Sequence, residues 1–314
     1  MIRLIGVVHL AGLPGSPKAV PLATCIERAV ADARALERGG VDAIIVENFH
    51  DAPFRPGAVD AHTVAAMTAA TLAVRREVSC ALGVNVLRND AAAALGIALA
   101  CEAAFIRVNV HTGAMLTDQG IINGRADETL RLRKLLGAEH IQIFADVLVK
   151  HAVPLGPVTL EDATRDAVER GLADVVIVTG TATGKAARPD DVTRVVDVAG
   201  VPVYVGSGVT AENLGSFFPP ATGVIVGSWL KTDGIVANAV DAARVERVRS
   251  VLSARMHEQA DGESAQRSAT SWPLRGQRPA DHQAQPMHSE GANNENDGAD
   301  GVRCDRTADP LSQV

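Results

Sequence analysis

Polar and charged residues stand at the ends of most apolar segments of this sequence, where a buried strand would otherwise continue with aliphatic side chains. Glu, Asp, His, Arg and Asn exchange protons with a substrate or stabilise its charge, so a ring of them predicts an acid–base site. The alternative is a plug of buried polar groups that satisfy one another's hydrogen bonds. The residues are His9, Glu47, Asn48, Asn85, Arg107, Asn109, His111, Asp146 and Thr179.

We assign catalytic roles to four side chains and substrate-binding roles to five others. Arg107, Asn109 and His111 share one parity, so they are expected on the same side of their strand. The predicted acid–base residues are Glu47, Asp146 and His9, with Lys150 as a further catalytic candidate. The predicted substrate-binding residues are Asn85, Arg107, Asn109, His111 and Thr179.

Lys150 lies four residues after Asp146, in the segment ADVLVKHA. We expect it to hold a substrate phosphate or carboxylate, or to lower the pKa of a neighbouring group. Two alternatives stay open at this point, a Schiff base with the substrate and an ordinary surface charge. The spacing alone does not separate them.

Two turns near the end of the folded region predict a phosphate site. The segments 201–213 and 221–231 each begin as an apolar run and break into Gly-Ser. Glycine lets backbone N–H groups approach an anion closely, and α/β barrels often bind phosphate after strands seven and eight. The alternative is that these glycines only close tight turns. The predicted phosphate-binding residues are Gly180, Gly184, Gly206, Ser207, Gly208, Gly227 and Ser228.

Two segments resemble nucleotide-binding motifs without matching them fully. The segment GSGVTA (206–211) has the glycine spacing of a dinucleotide-binding turn, but it follows the seventh strand and no acidic residue stands about twenty positions on. The segment TGTATGKAA (179–187) resembles a phosphate loop, but its glycines are one position too close and Ala186 replaces Ser or Thr. We expect it to contribute backbone amides at most.

No cofactor is predicted, and the cysteines give no metal-binding pattern. Cys25, Cys80, Cys101 and Cys304 are scattered without a C-x-x-C pair, which favours free thiols in a reducing cytoplasm. A divalent cation held by Glu47 and Asp146 is the minority alternative, because carboxylates suit such ions.

Alternating strands and helices are expected to position these residues. The apolar runs are four to eight residues long and alternate with amphipathic stretches up to about residue 255, which predicts eight βα units closed into a (β/α)₈ TIM barrel. The predicted strands are Arg3–His9, Ala43–Glu47, Ala81–Val86, Phe105–Val110, Ile141–Asp146, Val175–Thr179, Val203–Val205 and Gly223–Val226, and the last predicted helix is Ala237–Leu252.

Loop lengths indicate which end of the barrel carries the site. The links after strands are long and rich in Gly, Pro, His and Asn, as in 10–21, 48–60 and 111–127. The links after helices are brief, as in 38–42 and 199–202. Active sites of these barrels lie on the strand C-terminal side, so the long loops predict a site there.

Composition divides the chain into one domain and a tail. Hydrophobic residues make up 47 % of the sequence and aromatic residues only 3 %, which suits an aliphatic barrel core over residues 1–257. Residues 258–314 have few aliphatic side chains and are predicted to be a disordered, acidic, low-complexity tail. The net charge of −7 favours no nucleic-acid surface, and no segment has the length of a membrane span or a signal peptide.

The sequence resembles the BtpA/SgcQ family over roughly residues 2–255. The segments that carry the likeness are GVVHLAGLPGSP, DAIIVENFHDAPF, GVNVLRNDA, FIRVNVHTGAMLTDQGII, ADVLVKHA, VIVTGTATG, VGSGVT and VIVGSWLK. The resemblance implies a ribulose-phosphate-binding type of barrel. It also implies divergent functions, since one namesake is a factor for photosystem I biogenesis and other members are named as sugar-operon enzymes, nucleoside triphosphatases or phosphoribosylanthranilate isomerase-like proteins.

Together these observations predict a cytoplasmic barrel enzyme that acts on a small phosphorylated metabolite, a sugar phosphate or a nucleoside or phosphoribosyl compound. Isomerase, lyase and hydrolase chemistry all stay open. The alternative is a non-catalytic factor that contacts a membrane complex such as photosystem I at its periphery. A homo-oligomer is expected, because barrels of this kind often pair.

Overall fold

Eight short strands form the centre of the computed structural model, which describes residues 3–180 and 185–270, with side chains through residue 258. Their Val-, Ile- and Ala-rich sequences suit strands that are covered on both faces. Three further strands lie outside the barrel. In chain order the strands are β1 (Leu4–His9), β2 (Ala43–Glu47), β3 (Ala81–Asn85), β4 (Phe105–Val108), β5 (Ala114–Thr117), β6 (Gly120–Asn123), β7 (Gln142–Val147), β8 (Ala152–Pro154), β9 (Val175–Thr179), β10 (Val203–Gly206) and β11 (Gly223–Val226).

The barrel strands are all parallel and close in the order β1-β11-β10-β9-β7-β4-β3-β2. Closure is visible at Ile5, which pairs with Ala43 on one side and with Ile225 on the other. The predicted (β/α)₈ barrel is therefore confirmed, and the predicted strands seven and eight are β10 and β11. Closure brings all eight strand C-termini to one rim.

Helices surround the barrel and complete a core of two layers. One layer fills the barrel interior, where Phe105 and Phe144 stack with ring centroids 4.4 Å apart. The other layer lies between the strands and the helices and is almost entirely aliphatic. The helices are α1 (Leu22–Arg38), α2 (Ala61–Glu77), α3 (Ala91–Ala100), α4 (Ala126–Leu135), α5 (Leu160–Arg165), α6 (Pro189–Ala199) and α7 (Ala242–Thr270).

A small antiparallel sheet, ordered β6-β5-β8, stands on the C-terminal rim and was not predicted. The segment 111–127, expected as a loop, contains the β5–β6 hairpin. Met115 and Ile122 on one face of this sheet are buried against Val110 and Val149, so the hairpin is packed onto the barrel.

The last helix is longer than the sequence indicates. It was expected to end at Leu252, but α7 continues to Thr270. The rest of the predicted disordered tail, residues 271–314, lies outside the described residues. Within the part of the chain that the structure describes, no helix is long and apolar enough to span a membrane.

Candidate active site

Two neighbouring cavities lie at the barrel mouth. The smaller, of about 180 Å³, is bordered by the turns after β10 and β11, and we call it the turn cavity. The larger, of about 520 Å³, lies beside the β5–β6 hairpin, and we call it the rim cavity. Both are bordered by Glu47, Phe49, Arg107 and Lys150, which we call the junction residues.

The turn cavity brings together four of the predicted phosphate-binding residues, Ser207, Gly208, Gly227 and Ser228. Gly208 has φ +67°, and a Cβ there would lie 2.3 Å from the Ala186 backbone nitrogen, so only glycine fits. Ser228 begins a 3₁₀ turn, Ser228–Leu230, whose first N–H groups have no partner within the turn. The backbone thus approaches this cavity from two adjacent strands.

The other predicted phosphate-binding glycines do not border the turn cavity. Gly206 is the last residue of β10, and a Cβ there would lie 2.8 Å from Ile177 Cγ2. Gly180 packs against the Lys185 carbonyl oxygen, 2.1 Å from where its Cβ would be. Both glycines allow close packing behind the turns. Gly184 lies outside the described residues.

Arg107 is held by Asp146 in a buried ion pair. Arg107 Nε and Nη2 donate to Asp146 Oδ1 and Oδ2, each at 3.0 Å, and the Asn109 amide donates to Oδ2 at 2.8 Å. The side chains of Arg107 and Asp146 are 5 % and 0 % exposed. Burial lowers the pKa of Arg107, but the charges of Asp146 and Glu47 outweigh it, so the pKa is raised and the guanidinium stays charged.

This network shows where Asp146 lies. Asp146 borders neither the turn cavity nor the rim cavity, and both its oxygens already accept hydrogen bonds. Its place is behind Arg107, where it orients the guanidinium, and its acid–base role stays a prediction. Asn109 holds the same carboxylate and also borders the rim cavity.

Glu47 and Lys150 are the catalytic candidates that border both cavities. Glu47 is 6 % exposed, and its Oε2 accepts a hydrogen bond of 2.8 Å from the Asn85 amide, leaving Oε1 to face another group. Burial lowers the pKa of Lys150, and the nearby positive charge of Arg107 lowers it further, partly offset by Glu47 and Asp146. A buried lysine of this kind reaches its neutral form closer to neutral pH.

His9 borders the turn cavity and also a third cavity of about 410 Å³ on its other side, where Lys231 is paired with Asp32. Its ring meets Phe49 edge to face, with centroids 4.8 Å apart. Burial first, and then the charge of Lys231, hold the pKa of His9 well below its usual value, so the ring is neutral at pH 7. A neutral imidazole accepts a proton or a hydrogen bond.

Besides Asp146, three residues of the predicted ring lie away from both cavities. His111 Nε2 donates to the Gly171 carbonyl at 2.7 Å, because β4 ends at Val108 and the alternation does not extend to position 111. It borders neither cavity, and its contact with substrate stays a prediction. Thr179 Oγ1 accepts a hydrogen bond of 3.1 Å from the Lys150 backbone N–H. Asn48 bonds both backbone groups of Leu87, so it is a structural residue.

Sequence reasoning missed several residues that border the rim cavity. Arg88 is 5 % exposed, and its only signal was its place three residues after β3. Asp118 and Gln119 come from the tip of the unpredicted β5–β6 hairpin. Trp229, in the turn after β11, borders the turn cavity. Phe49 borders both the turn cavity and the rim cavity. No local pattern could have assigned these side chains to one site.

The site does not fit a metal ion between Glu47 and Asp146. Asp146 is occupied by Arg107, and the guanidinium charge beside it would repel a cation. Across the described residues, no group of three or more His, Cys, Asp and Glu side chains is arranged to hold a metal. The positive charges of Arg88 and Arg107 instead favour an anionic ligand.

Comparison with known proteins identifies close relatives. Residues 2–254 match the model of the BtpA family. A Synechocystis protein named Photosystem I biogenesis protein BtpA is 50 % identical over 244 residues, covering 77 % of this chain and 85 % of that protein. An uncharacterized protein of Thermococcus kodakarensis is 50 % identical over 246 residues, covering 78 % of this chain and 93 % of that protein.

Solved structures of much lower identity share the fold. Thiamine phosphate pyrophosphorylase from Pyrococcus furiosus superposes with a TM-score of 0.52 at 14 % identity, covering 81 % of this chain and 96 % of that one. Tryptophan synthase from Mycobacterium tuberculosis gives 0.52 at 19 % identity, with coverages of 80 % and 92 %. At these identities the likeness concerns the barrel architecture alone.

Proposed function

The chain belongs to the BtpA family, and we propose that it is an enzyme acting on a small phosphorylated metabolite, a sugar phosphate or a nucleoside or phosphoribosyl compound. One observation carries this proposal: the turn cavity and the rim cavity share Glu47, Phe49, Arg107 and Lys150. One ligand can therefore occupy both, with its reacting atoms at the junction residues.

The phosphate group would lie in the turn cavity. Ser207, Gly208 and Ser228 border this cavity, and backbone N–H groups in such turns attract anions. The sugar or organic part would lie in the rim cavity, whose polar groups Asn85, Asn109 and Gln119 can bond hydroxyl groups.

Acid–base chemistry at the junction is the proposed reaction class. Glu47 would move a proton to or from the substrate, since Asn85 fixes its carboxylate at the cavity wall. Arg88 and Arg107 would stabilise negative charge that develops on a substrate oxygen. An isomerase, a lyase and a hydrolase all use this set of groups.

A charge placed in the turn cavity tests the proposal. Ribose 5-phosphate and related sugar and nucleoside phosphates should raise the Tm of the wild-type protein, while ribose itself should not. Ser228→Asp should abolish this stabilisation because its carboxylate repels the phosphate. Ser228→Asn is the matched neutral control, and it should keep most of the effect.

If the phosphorylated compounds raise the Tm of the Ser228→Asp and Ser228→Asn variants equally, the phosphate does not lie in the turn cavity. If no phosphorylated compound raises the Tm of the wild type, the proposed function itself fails. The measurement is differential scanning fluorimetry at constant ionic strength, since salt screens the charge effect.

A second candidate function is that of a non-catalytic factor for a membrane complex, acting as a homo-oligomer in the cytoplasm. Its support is the 50 % identity to the protein named for photosystem I biogenesis. The Glu47→Gln variant distinguishes the two candidate functions. An enzyme loses turnover of the stabilising phosphate compound in this variant, whereas an assembly factor has no turnover to lose and keeps its binding partner.

A further inference from the structure

Lys150 occupies a fixed position at the junction of the two cavities. Its backbone N–H donates to Thr179 Oγ1 at 3.1 Å, and its carbonyl accepts a hydrogen bond of 2.8 Å from Arg88 Nη2. Both contacts come from other barrel segments, so they hold the main chain at this point. Since Lys150 borders both the turn cavity and the rim cavity, it is placed to contact a ligand that spans them.

The surroundings of the Lys150 amine make it easier to deprotonate than an exposed lysine. Burial and the charge of Arg107 lower its pKa, and Arg88 acts in the same direction. Among the described residues no carboxylate forms an ion pair with it, in contrast to Lys134, whose ammonium lies 2.6 Å from Glu139. A lysine that is desolvated beside other cationic groups is activated as a nucleophile.

We propose that Lys150 forms a Schiff base with the open-chain aldehyde or ketone of a sugar phosphate. This inference rests on the proposed function, because a phosphate held in the turn cavity is what would bring the carbonyl carbon to the junction. The substrate class is thereby narrowed to phosphorylated aldoses and ketoses that open to a free carbonyl.

The covalent step balances without any further reactant. The neutral amine of Lys150 attacks the carbonyl carbon, forming a C–N bond as the C=O π electrons move to the oxygen; the nitrogen then loses one proton and the oxygen takes one up, which gives a carbinolamine. The hydroxyl group takes a second proton and the C–O bond breaks to release water, while the nitrogen lone pair forms the C=N bond of an iminium, which loses the second nitrogen proton to give the imine. Glu47, which borders the same junction, is the carboxyl group placed to carry these protons.

Reductive trapping tests this assignment directly. The full chain would be incubated at pH 7 with dihydroxyacetone phosphate, ribose 5-phosphate or pyridoxal 5′-phosphate, the last serving only as a phosphorylated aldehyde probe. Borohydride then converts any imine to a stable secondary amine, and peptide mass mapping locates it. We expect the adduct at Lys150, forming faster than at the exposed, ion-paired Lys134.

Lys150→Arg keeps the positive charge but cannot form an imine, so it should lose the adduct completely while keeping its Tm. Lys134→Met is the matched control and should be labelled at Lys150 like the wild type. Labelling no faster at Lys150 than at Lys134 with all three probes would overturn the proposal.

Ribitol 5-phosphate separates this failure from failure of the proposed function, since it carries the phosphate without a carbonyl. If it raises the Tm but no probe labels Lys150, the phosphate site is supported and the Schiff base is contradicted. If neither effect occurs, both the proposed function and the Schiff base are contradicted.

Discussion

Arg107 is placed at the cavities by a residue that does not itself reach them. Asp146 accepts from both Nε and Nη2 of Arg107, which fixes the plane of the guanidinium. Two parallel bonds of this kind specify direction as well as charge. The carboxylate therefore acts on a ligand only through Arg107, and its removal would affect both stability and binding.

Asp146→Asn should lower the free energy of unfolding by about 3 kcal/mol, since it leaves a buried guanidinium without its counter-charge. Urea unfolding would measure the loss. The matched control is Asp127→Asn, which breaks the exposed pair with Arg131 and should leave the unfolding midpoint unchanged. Equal effects of the two substitutions would contradict the buried-pair interpretation.

The turns after β10 and β11 are shaped by close contacts between loops. Gly208 lies against the Lys185–Ala186 backbone, and Gly227 lies against His9, with a would-be Cβ 2.9 Å from His9 Cε1. The phosphate-binding geometry proposed for these turns therefore depends on packing that any side chain would disturb. This explains why glycine occupies both positions.

Gly208→Ala should weaken both folding and stabilisation by ribose 5-phosphate. The new methyl group is strained by the positive φ of this position, and it also displaces the Ala186 backbone. Gly113→Ala is the matched control, because Gly113 has φ +70° and no atom within 4 Å of its would-be Cβ. It should cost about 1–2 kcal/mol from strain alone and leave the Tm shift by the phosphate compound intact.

The Gly208→Ala and Gly113→Ala variants are compared by their free energies of unfolding in urea and by the Tm shift that ribose 5-phosphate causes in fluorimetry. If both alanine variants respond to the ligand equally, the contact between Gly208 and Ala186 does not shape the turn cavity.

At the scale of the whole molecule, α7 completes the barrel's outer layer. Val245, Val248 and Leu252 are fully buried, and Gly39 leaves the space that Val245 fills, with a would-be Cβ 2.3 Å from the Val245 Cβ. These apolar contacts all precede His257. The part of α7 with described side chains therefore contributes to stability through apolar residues before His257.

Deleting residues 258–314 should leave the Tm unchanged, because the described core contacts of α7 lie before the deletion. Deleting from Val245 onward should lower the Tm strongly or prevent folding, since it exposes the core beneath α7. Circular dichroism melting curves of both truncated chains give the comparison. A large fall in Tm for the shorter deletion would show that the tail stabilises the barrel.

The sequence by itself determined the barrel, the rim that carries the long loops and the two Gly-Ser turns. These features are local, because the alternation of apolar strands and amphipathic helices, the loop lengths and the turn residues all act over fewer than about twenty positions. Glu47 and Lys150 could be nominated for the same reason, as polar residues at or just after strand ends.

Only the tertiary structure decided which of the nominated groups border the two cavities. Asp146 turned out to hold Arg107, and His111 bonds Gly171 away from the cavities, while Arg88 and the hairpin residue Asp118 border the rim cavity. Each outcome depends on partners that are far apart in the chain, as Arg107 and Asp146 are 39 residues apart. Barrel closure and side-chain pairing across strands select these partners, and a one-dimensional pattern does not encode them.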